Sequence, residues 1–586
     1  MSERRPVLKP SGRHHAVAHF PASPKNGRRR GLAPLVAAAV LVIAAGVVAG
    51  IYGVGGSAAP SSRALFAARS TPRLIGPTDP ARPIRFSLTL RMREGAVNSF
   101  LRELYDPSSP RYRHFLSAGQ FGARFGIGDS ELTRVRAAVV AGGLSVSASF
   151  PQRTELVVSG PAGRVERFLR VRLGDFATSG GARFHAPLGH PTLPPALGTG
   201  VQGVTGLDTQ PLAVALDDSA PFNGLRPADL AAAYDITPLY NQGIRGDGET
   251  IALVSFDDAP TSDLQQYQSI VGISNPGPYD RVAVNGGTSP GKQQQEVDLD
   301  TQTIRGIAPG AHIINFVAPD GTPFGEPIDA ITADGRAKIV SFSYGDCEPN
   351  YPDIAQDEHS FQAAAARGIT VFVSAGDNGA YDCQSTDLAS TDLVTEWPAS
   401  SPYAVAVGGT FLDRNPNGSY LGETAWADVL SGAGGGGGLS QTQQQPPWQR
   451  GPGVSNALSN GHRQVPDVAA VADPATGLLI YTMGQTMPVG GTSAAAPFWA
   501  ASMLLVQEYA QRHGIAQLGF VSPTLYALAA GPNSPFHDVT LGGNRHYQAG
   551  PGWDYATGLG SPDVAKLATA MVAALHNGPT ATIAAP

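Results

Sequence analysis

Apolar and polar positions fall into three regimes along the chain. Residues 35–54 are almost unbroken apolar, inside a stretch, 31–62, that carries no charge. From 63 to about 210 the pattern changes period repeatedly. Residues 86–91 alternate as a strand does, 94–105 repeat at helical spacing, and 106–112 read as a turn. Residues 130–141 are helical, 144–150 and 154–159 strand-like, and 161–171 helical again. Strands and helices mixed in this way predict an α+β sandwich. Beyond about 222, strand-like runs lie at 251–256, 312–317, 338–343, 370–374, 403–407 and 478–481, with helical candidates between most of them. That is the signature of an α/β domain with a parallel sheet, whose functional residues gather at the carboxyl ends of strands. The run 498–506 reads as a buried helix.

Charge sharpens the division. Residues 1–30 form a basic, polar tail with no apolar periodicity. The segment 31–54 is long enough to span a bilayer at the usual ~20 residues, and its basic flank predicts a cytoplasmic N-terminus. It reads as a transmembrane anchor, or as a long signal segment cut near residues 57–59. Its length favours the anchor over the ~7–15-residue core of a signal peptide. Either way, everything after residue 62 is expected outside the cytoplasm, at the cell membrane or secreted. Residues 63–210 hold 19 Arg, no Lys and 10 acidic residues, a net +9, whereas 211–586 carry −22. Arginine richness invites nucleic acid, but these arginines are spread through strand and helix patterns and the rest of the chain is acidic. An intramolecular partner is the simpler expectation. Residues 211–221 read as a linker.

Four stretches carry candidate chemistry. Gly-Gly-Thr-Ser-Ala-Ala-Ala-Pro at 490–497 places Ser493 where a glycine-rich turn enters a helix, a setting for a nucleophilic serine or for an ordinary capped helix. In Gln-Glu-Val-Asp-Leu-Asp at 295–300, Glu296 and Asp300 share one helical face while Asp298 points elsewhere. Paired carboxyls raise one another's hold on a proton and can act as base and acid, unless they are only a solvated first turn. Asp377, in Ser-Ala-Gly-Asp-Asn-Gly at 374–379, would sit at a strand's carboxyl end, as a functional or a turn aspartate. Phe-His-Asp-Val-Thr at 536–540 and Ala-Gly-Pro-Gly-Trp-Asp at 549–554 are either two turns or an all-oxygen site for calcium.

Taken in order, these motifs resemble the sedolisin family, the serine-carboxyl peptidases, over nearly everything from residue 85 onward. Gly-Thr-Ser-Ala-Ala-Ala-Pro (491–497), Glu-Val-Asp-Leu-Asp (296–300) and Ala-Gly-Asp-Asn-Gly (375–379) match its serine, Glu-x-x-x-Asp and oxyanion-aspartate motifs. Residues 463–468, the glycine run 434–438 with Trp448, and the 538–539 and 550–554 loop fit too. So does the middle segment, which resembles its activation prodomain. The resemblance implies a subtilisin-like catalytic domain (222–586) behind a prodomain (63–210) that inhibits it intramolecularly, with a processing site at 211–221. It implies an acid-acting endopeptidase made as a zymogen that cleaves polypeptides. Ser493 would be the nucleophile, Glu296 the base, Asp300 its support and Asp377 the oxyanion donor. One structural Ca2+ would be held by Asp538, Val539, Gly550, Gly552 and Asp554. A tripeptidyl-peptidase-type exopeptidase and a surface-anchored peptide-binding pseudoprotease are the alternatives. Subtilases share the fold, but none of the 13 histidines lies in a His-Gly-Thr-His-like setting. Ser255 and Tyr344 stand where kumamolisin-type members carry an outer Glu and a Trp.

Release of the basic prodomain from its acidic partner by acid is expected. The two cysteines, Cys347 and Cys383, each lie just past a strand end. They are expected to form a disulfide bracing the Asp377 loop, free buried thiols being the alternative.

Overall fold

The alternating residues of the middle segment build the strand Pro83–Leu90, central in an antiparallel sheet of order Ser145–Ser149, Glu155–Pro161, Pro83–Leu90, Val201–Thr205. Ile84, Phe86, Leu88 and Leu90 point to one face, where Val135, Val139, Val165 and Leu169 of the helices Asp129–Ala141 and Ala162–Leu169 cover them. A second sheet of Arg73–Pro77, Leu173–Ala177 and Arg183–Pro187 was not legible in the sequence. Its short strands carry Gly and Pro and no clean alternation. The structure, a computed structural model, describes residues 72–577 apart from 179–180, 182, 211–223 and 429. The basic tail, the 31–54 segment and the 211–221 linker lie outside the described residues. Among those described, no helix is long and apolar enough to cross a membrane.

In the C-terminal part the sheet order is Tyr420–Ala425, Val405–Arg414, Thr370–Ser374, Ile339–Phe342, Thr250–Ser255, His312–Val317, Tyr279–Ala283, with Val468–Val471 also pairing Val405–Arg414. All pairings are parallel except that of Tyr420–Ala425. Five of the six expected strands lie here. The sixth does not: Leu478–Thr482 forms an antiparallel hairpin with Gln485–Val489, off the main sheet. Met483 and Gly484 both have positive φ, the two-residue turn that closes a hairpin.

The sheet is buried on both faces. Ile251, Leu253, Ile339, Phe372 and Val405 join the core around the helix Thr492–Arg512. Ala252, Val254, Val340, Val371 and Val373 face Ile328, Ile331 and Phe361 of the helices Gly325–Asp334 and Ile354–Ala366. The helix Thr492–Arg512 (the serine helix) packs along Gln294–Ile307 (the acidic helix).

The prodomain docks by apolar and backbone contacts. Val97, Phe100, Leu101 and Leu104 of the helix Glu94–Leu104 merge into the main core. The Tyr105 hydroxyl donates to Ala365 O (2.6 Å) and accepts from Phe520 N (3.0 Å). Arg113 donates to Leu518 O at 2.7 Å. Charge plays a smaller part than the sequence suggested. Arg85 pairs with Glu326 across the interface, but Arg82, Arg111 and Arg153 pair with acids of the prodomain itself.

Candidate active site

The serine helix begins at Thr492 because Gly491, at φ 103°, takes a backbone turn that other residues resist. Pro497 has no N–H for the Ser493 carbonyl, and that carbonyl instead lies 3.5 Å from the Ser343 hydroxyl. Ser343 follows the strand Ile339–Phe342 and touches both halves of the site. Its hydroxyl donates to Asp300 Oδ1 at 2.6 Å, and its own carbonyl accepts from Ser493 Oγ at 3.3 Å.

Asp300 and Glu296 sit one turn apart on the acidic helix, both 0 % exposed, so this is no solvated first turn. Burial holds the Asp300 carboxyl well above the usual aspartate range, against the Ser343 hydrogen bond. Asp298 leaves that face and accepts from Thr482 Oγ1 at 2.8 Å. Tyr344 is also buried; burial, then Glu296, Asp300 and Asp257, raise its phenol far above the ordinary range. Ser255 turns away and donates to Asn315 Oδ1 at 2.5 Å.

Asp377 follows the strand Thr370–Ser374, and its Oδ1 accepts from Thr492 N (2.7 Å) and Thr492 Oγ1 (2.6 Å). The glycine run lies along its loop: Gly434 N donates to Asp377 O (2.9 Å) and Gly436 N to Gly376 O (2.7 Å). A β-carbon at Gly436 would strike the Ala375 carbonyl, which explains the glycine. Strands Ile339–Phe342 and Thr370–Ser374 are neighbours, and Cys347 and Cys383 beyond them are joined as a disulfide, Cα atoms 4.9 Å apart.

Ser493, Asp300 and Asp377 therefore meet at the start of the serine helix, with Glu296 on the same helical face as Asp300. The sequence reading missed Ser343 and Thr492 as contacts of this group. Their signal was adjacency to Tyr344 and Ser493 within the motifs.

At the other candidate site, Asp538 accepts from Gly552 N (3.0 and 3.2 Å), and Asp554 from Gly550 N (3.0 Å) and Ala556 N (2.8 Å). Two carboxylates thus close on one glycine turn, beside Val539, whose carbonyl accepts from Thr557 Oγ1 at 3.4 Å. No cluster of three or more His, Cys, Asp or Glu fit for a metal occurs among the described residues. A cation here would need the main-chain carbonyls as well.

Comparison with known proteins bears on the family of the chain. Residues 72–210 match the family model for the pro-kumamolisin activation domain, and 282–522 that of the subtilase family. The chain is 33 % identical over 542 residues to kumamolisin of Bacillus sp. (strain MN-32), covering 86 % of this chain and 95 % of the relative. It is 30 % identical over 518 residues to sedolisin of Pseudomonas sp. (strain 101), covering 82 % and 86 %. It is 26 % identical over 542 residues to tripeptidyl-peptidase 1 of Mus musculus, covering 83 % and 92 %. The solved structure of Pseudomonas sedolisin, a serine-carboxyl proteinase complexed with pseudo-iodotyrostatin, aligns at TM-score 0.53 and 31 % identity, over 61 % of this chain and 100 % of that one. With a prodomain ahead of a subtilisin-like sheet and relatives matched over almost their full length, the chain belongs to the sedolisin family of serine-carboxyl peptidases.

Proposed function

We propose that the protein is an acid-acting endopeptidase, made as a zymogen, that uses Ser493, Glu296, Asp300 and Asp377. The observation that carries this reading is the run of contacts from Ser493 through Ser343 to Asp300, beside Asp377 held by Thr492. Ser493 Oγ attacks the scissile carbonyl carbon while Glu296 takes its proton. The oxyanion accepts hydrogen bonds from protonated Asp377 and the Ser493 backbone N–H. The C–N bond then breaks, Glu296 protonates the leaving amine, and water hydrolyses the acyl-enzyme by the reverse sequence. Asp300 orients Glu296. A carboxylic acid donates a hydrogen bond only while neutral, so activity fails as pH approaches neutrality.

Casein digestion at low pH tests this. Ser493→Ala should lose at least about 10⁴-fold in kcat; digestion that survives the change overturns the reading and leaves a peptide-binding pseudoprotease. Similarity to tripeptidyl-peptidase 1 favours a second reading, exopeptidase action. In that case blocking the substrate's amino terminus stops cleavage.

Calcium is part of the proposal. Asp538, Asp554 and the carbonyls of Val539, Gly550 and Gly552 supply the oxygen-only set a hard cation takes. Burial pushes Asp554 up to about 6, and a divalent cation beside it would relieve that. The ion's role would be to hold the loop. The enzyme would work outside the cytoplasm, released or tethered through residues 31–54, with its prodomain and its polypeptide substrates as partners.

A further inference from the structure

Behind Asp377 lies a second set of carboxyl groups that the mechanism above does not use. Asp382, on the turn Asp382–Ser385, and Glu396, on the short strand Glu396–Trp397, both press on Gly376, the residue before Asp377. A β-carbon there would meet Asp382 Oδ1 and come 2.9 Å from Glu396 Cδ. The Glu396 carboxyl also lies against Gly345, and Asp346 pairs with Trp397 on the adjoining strand. All four carboxyls are buried: Asp377 is 4 % exposed, Asp382 0 %, Glu396 7 % and Asp346 4 %. Among the described residues, one cation faces the group. Arg545, half-buried, donates to Asn378 O (2.9 Å) and Gln384 Oε1 (2.8 Å) on the Asp382 side.

Neither Asp382 oxygen makes a well-formed hydrogen bond, and the Asn378 N–H gives only weak support. Four buried carboxyls beside one arginine cannot all ionise. Burial first, and then the neighbouring carboxyls, strengthen the hold of Asp382 and Glu396 on a proton, while Arg545 opposes this at Asp382. Thr492 fixes the orientation: Asp377 Oδ1 receives both its N–H and its hydroxyl, so a proton on this carboxyl belongs on Oδ2.

We propose that Asp382 and Glu396 are positioning residues that keep Asp377 in its hydrogen-bond-donating form, while Thr492, by occupying Oδ1, sets the proton on Oδ2. Arg545 favours negative charge at Asp382, and a charge there opposes ionisation of Asp377 beside it. The upper pH limit of the enzyme is then set by the cluster rather than by Asp377 alone. This rests on the reading of Asp377 as the oxyanion donor.

The test is kcat on a peptide substrate from pH 3.5 to 6 for the activated wild type and for Asp377→Ala, Asp382→Asn, Glu396→Gln, Thr492→Val and Thr492→Ser. Asp377→Ala should lose about 10²- to 10³-fold; wild-type kcat in that variant defeats the oxyanion reading itself. If Asp377→Ala is impaired, the amide variants decide the proposal. Their kcat relative to wild type should fall about tenfold further between pH 3.5 and pH 6, a limb moved down by about one pH unit. A constant ratio across pH, as a merely structural defect gives, overturns it. The amides match the protonated carboxyls in shape, so the fold should survive. Where one does not fold, Thr492→Val carries the test. It should lose about tenfold in kcat with KM little changed, and Thr492→Ser should restore it. Unchanged kcat in Thr492→Val overturns the proposal.

Discussion

Ser343 shows how one residue ties the site together. Its hydroxyl reaches Asp300 and its carbonyl reaches Ser493 Oγ, across separations of 43 and 150 positions. A hydrogen bond to a charged group contributes about 1.5–3 kcal/mol, so Ser343→Ala should lower kcat/KM about 10- to 100-fold. The sign of its pH effect follows from the carboxyl it serves. The hydroxyl favours the ionised form of Asp300, so its removal lets Asp300 keep its proton to higher pH. The limb of the pH profile that belongs to the Glu296–Asp300 pair should therefore move upward, and Ser343→Thr should move it back. A steady-state pH series on the three proteins reads this directly.

At the scale of elements, the Asp377 loop is held from several sides: the glycine run lies along it, Thr492 caps it and the Cys347–Cys383 bridge closes it. The bridge spans 36 positions, and a disulfide of that kind typically stabilises by about 2–4 kcal/mol. Reduction, or the double change Cys347→Ser with Cys383→Ser, should lower both the thermal midpoint and kcat, with the loss of kcat outlasting any effect on KM. An unchanged kcat would show the loop to be held without it. The 538–554 loops invite a second measurement. Chelation with EDTA should lower Tm, and added Ca2+ should restore it in the wild type but not in Asp554→Asn. The hairpin at 478–489 carries a different lesson. Its first strand was visible as a strand, but alternation does not name a partner, and the two-residue turn at Met483–Gly484 sent it away from the parallel sheet.

Among the described residues the prodomain keeps its own sheet core and adds the helix Glu94–Leu104 to that of the catalytic domain, and their interface has a pH dependence unlike that expected from net charge. Glu155 of the prodomain meets Glu326, Asp329 and Asp357 of the catalytic domain in a buried group with Arg85. Burial raises their proton affinities, to about 7 for Glu326, where Arg85 opposes and Asp329 adds, and to about 6 for Asp329, where hydrogen bonds from Gln152, Thr154 and Ser360 oppose. Groups raised in the docked state contribute stability that is full below their free values and is lost as pH rises through about 6–7. This cluster therefore tightens docking in mild acid. His359, buried against Glu94 and Gln202, has the opposite sign: burial lowers its affinity for a proton, so its contribution is lost in acid. His359 therefore has the sign that release by acid requires, and that carboxyl group has the opposite one. Two measurements on the zymogen follow. Glu326→Gln with Asp329→Asn should flatten the fall in Tm between pH 5.5 and pH 8. His359→Gln should slow self-activation at acid pH, and an unaltered activation rate would remove His359 from the account.

The sequence by itself determined the regimes of the chain, the α/β class, the order of the motifs and the four residues on which chemistry was expected. Local periodicity and motif spacing are properties of neighbouring residues, so they survive in a one-dimensional reading. Glu296 and Asp300 sharing a face, with Asp298 turned to Thr482, is of that kind. Only the tertiary structure decided what lies beside what. It made Ser343 the link between Asp300 and Ser493, gathered Asp382 and Glu396 behind Asp377, and let apolar contact rather than opposite charge dock the prodomain. Proton affinity and hydrogen bonding depend on burial and on through-space partners far apart in the chain, and these exist only once the chain has folded.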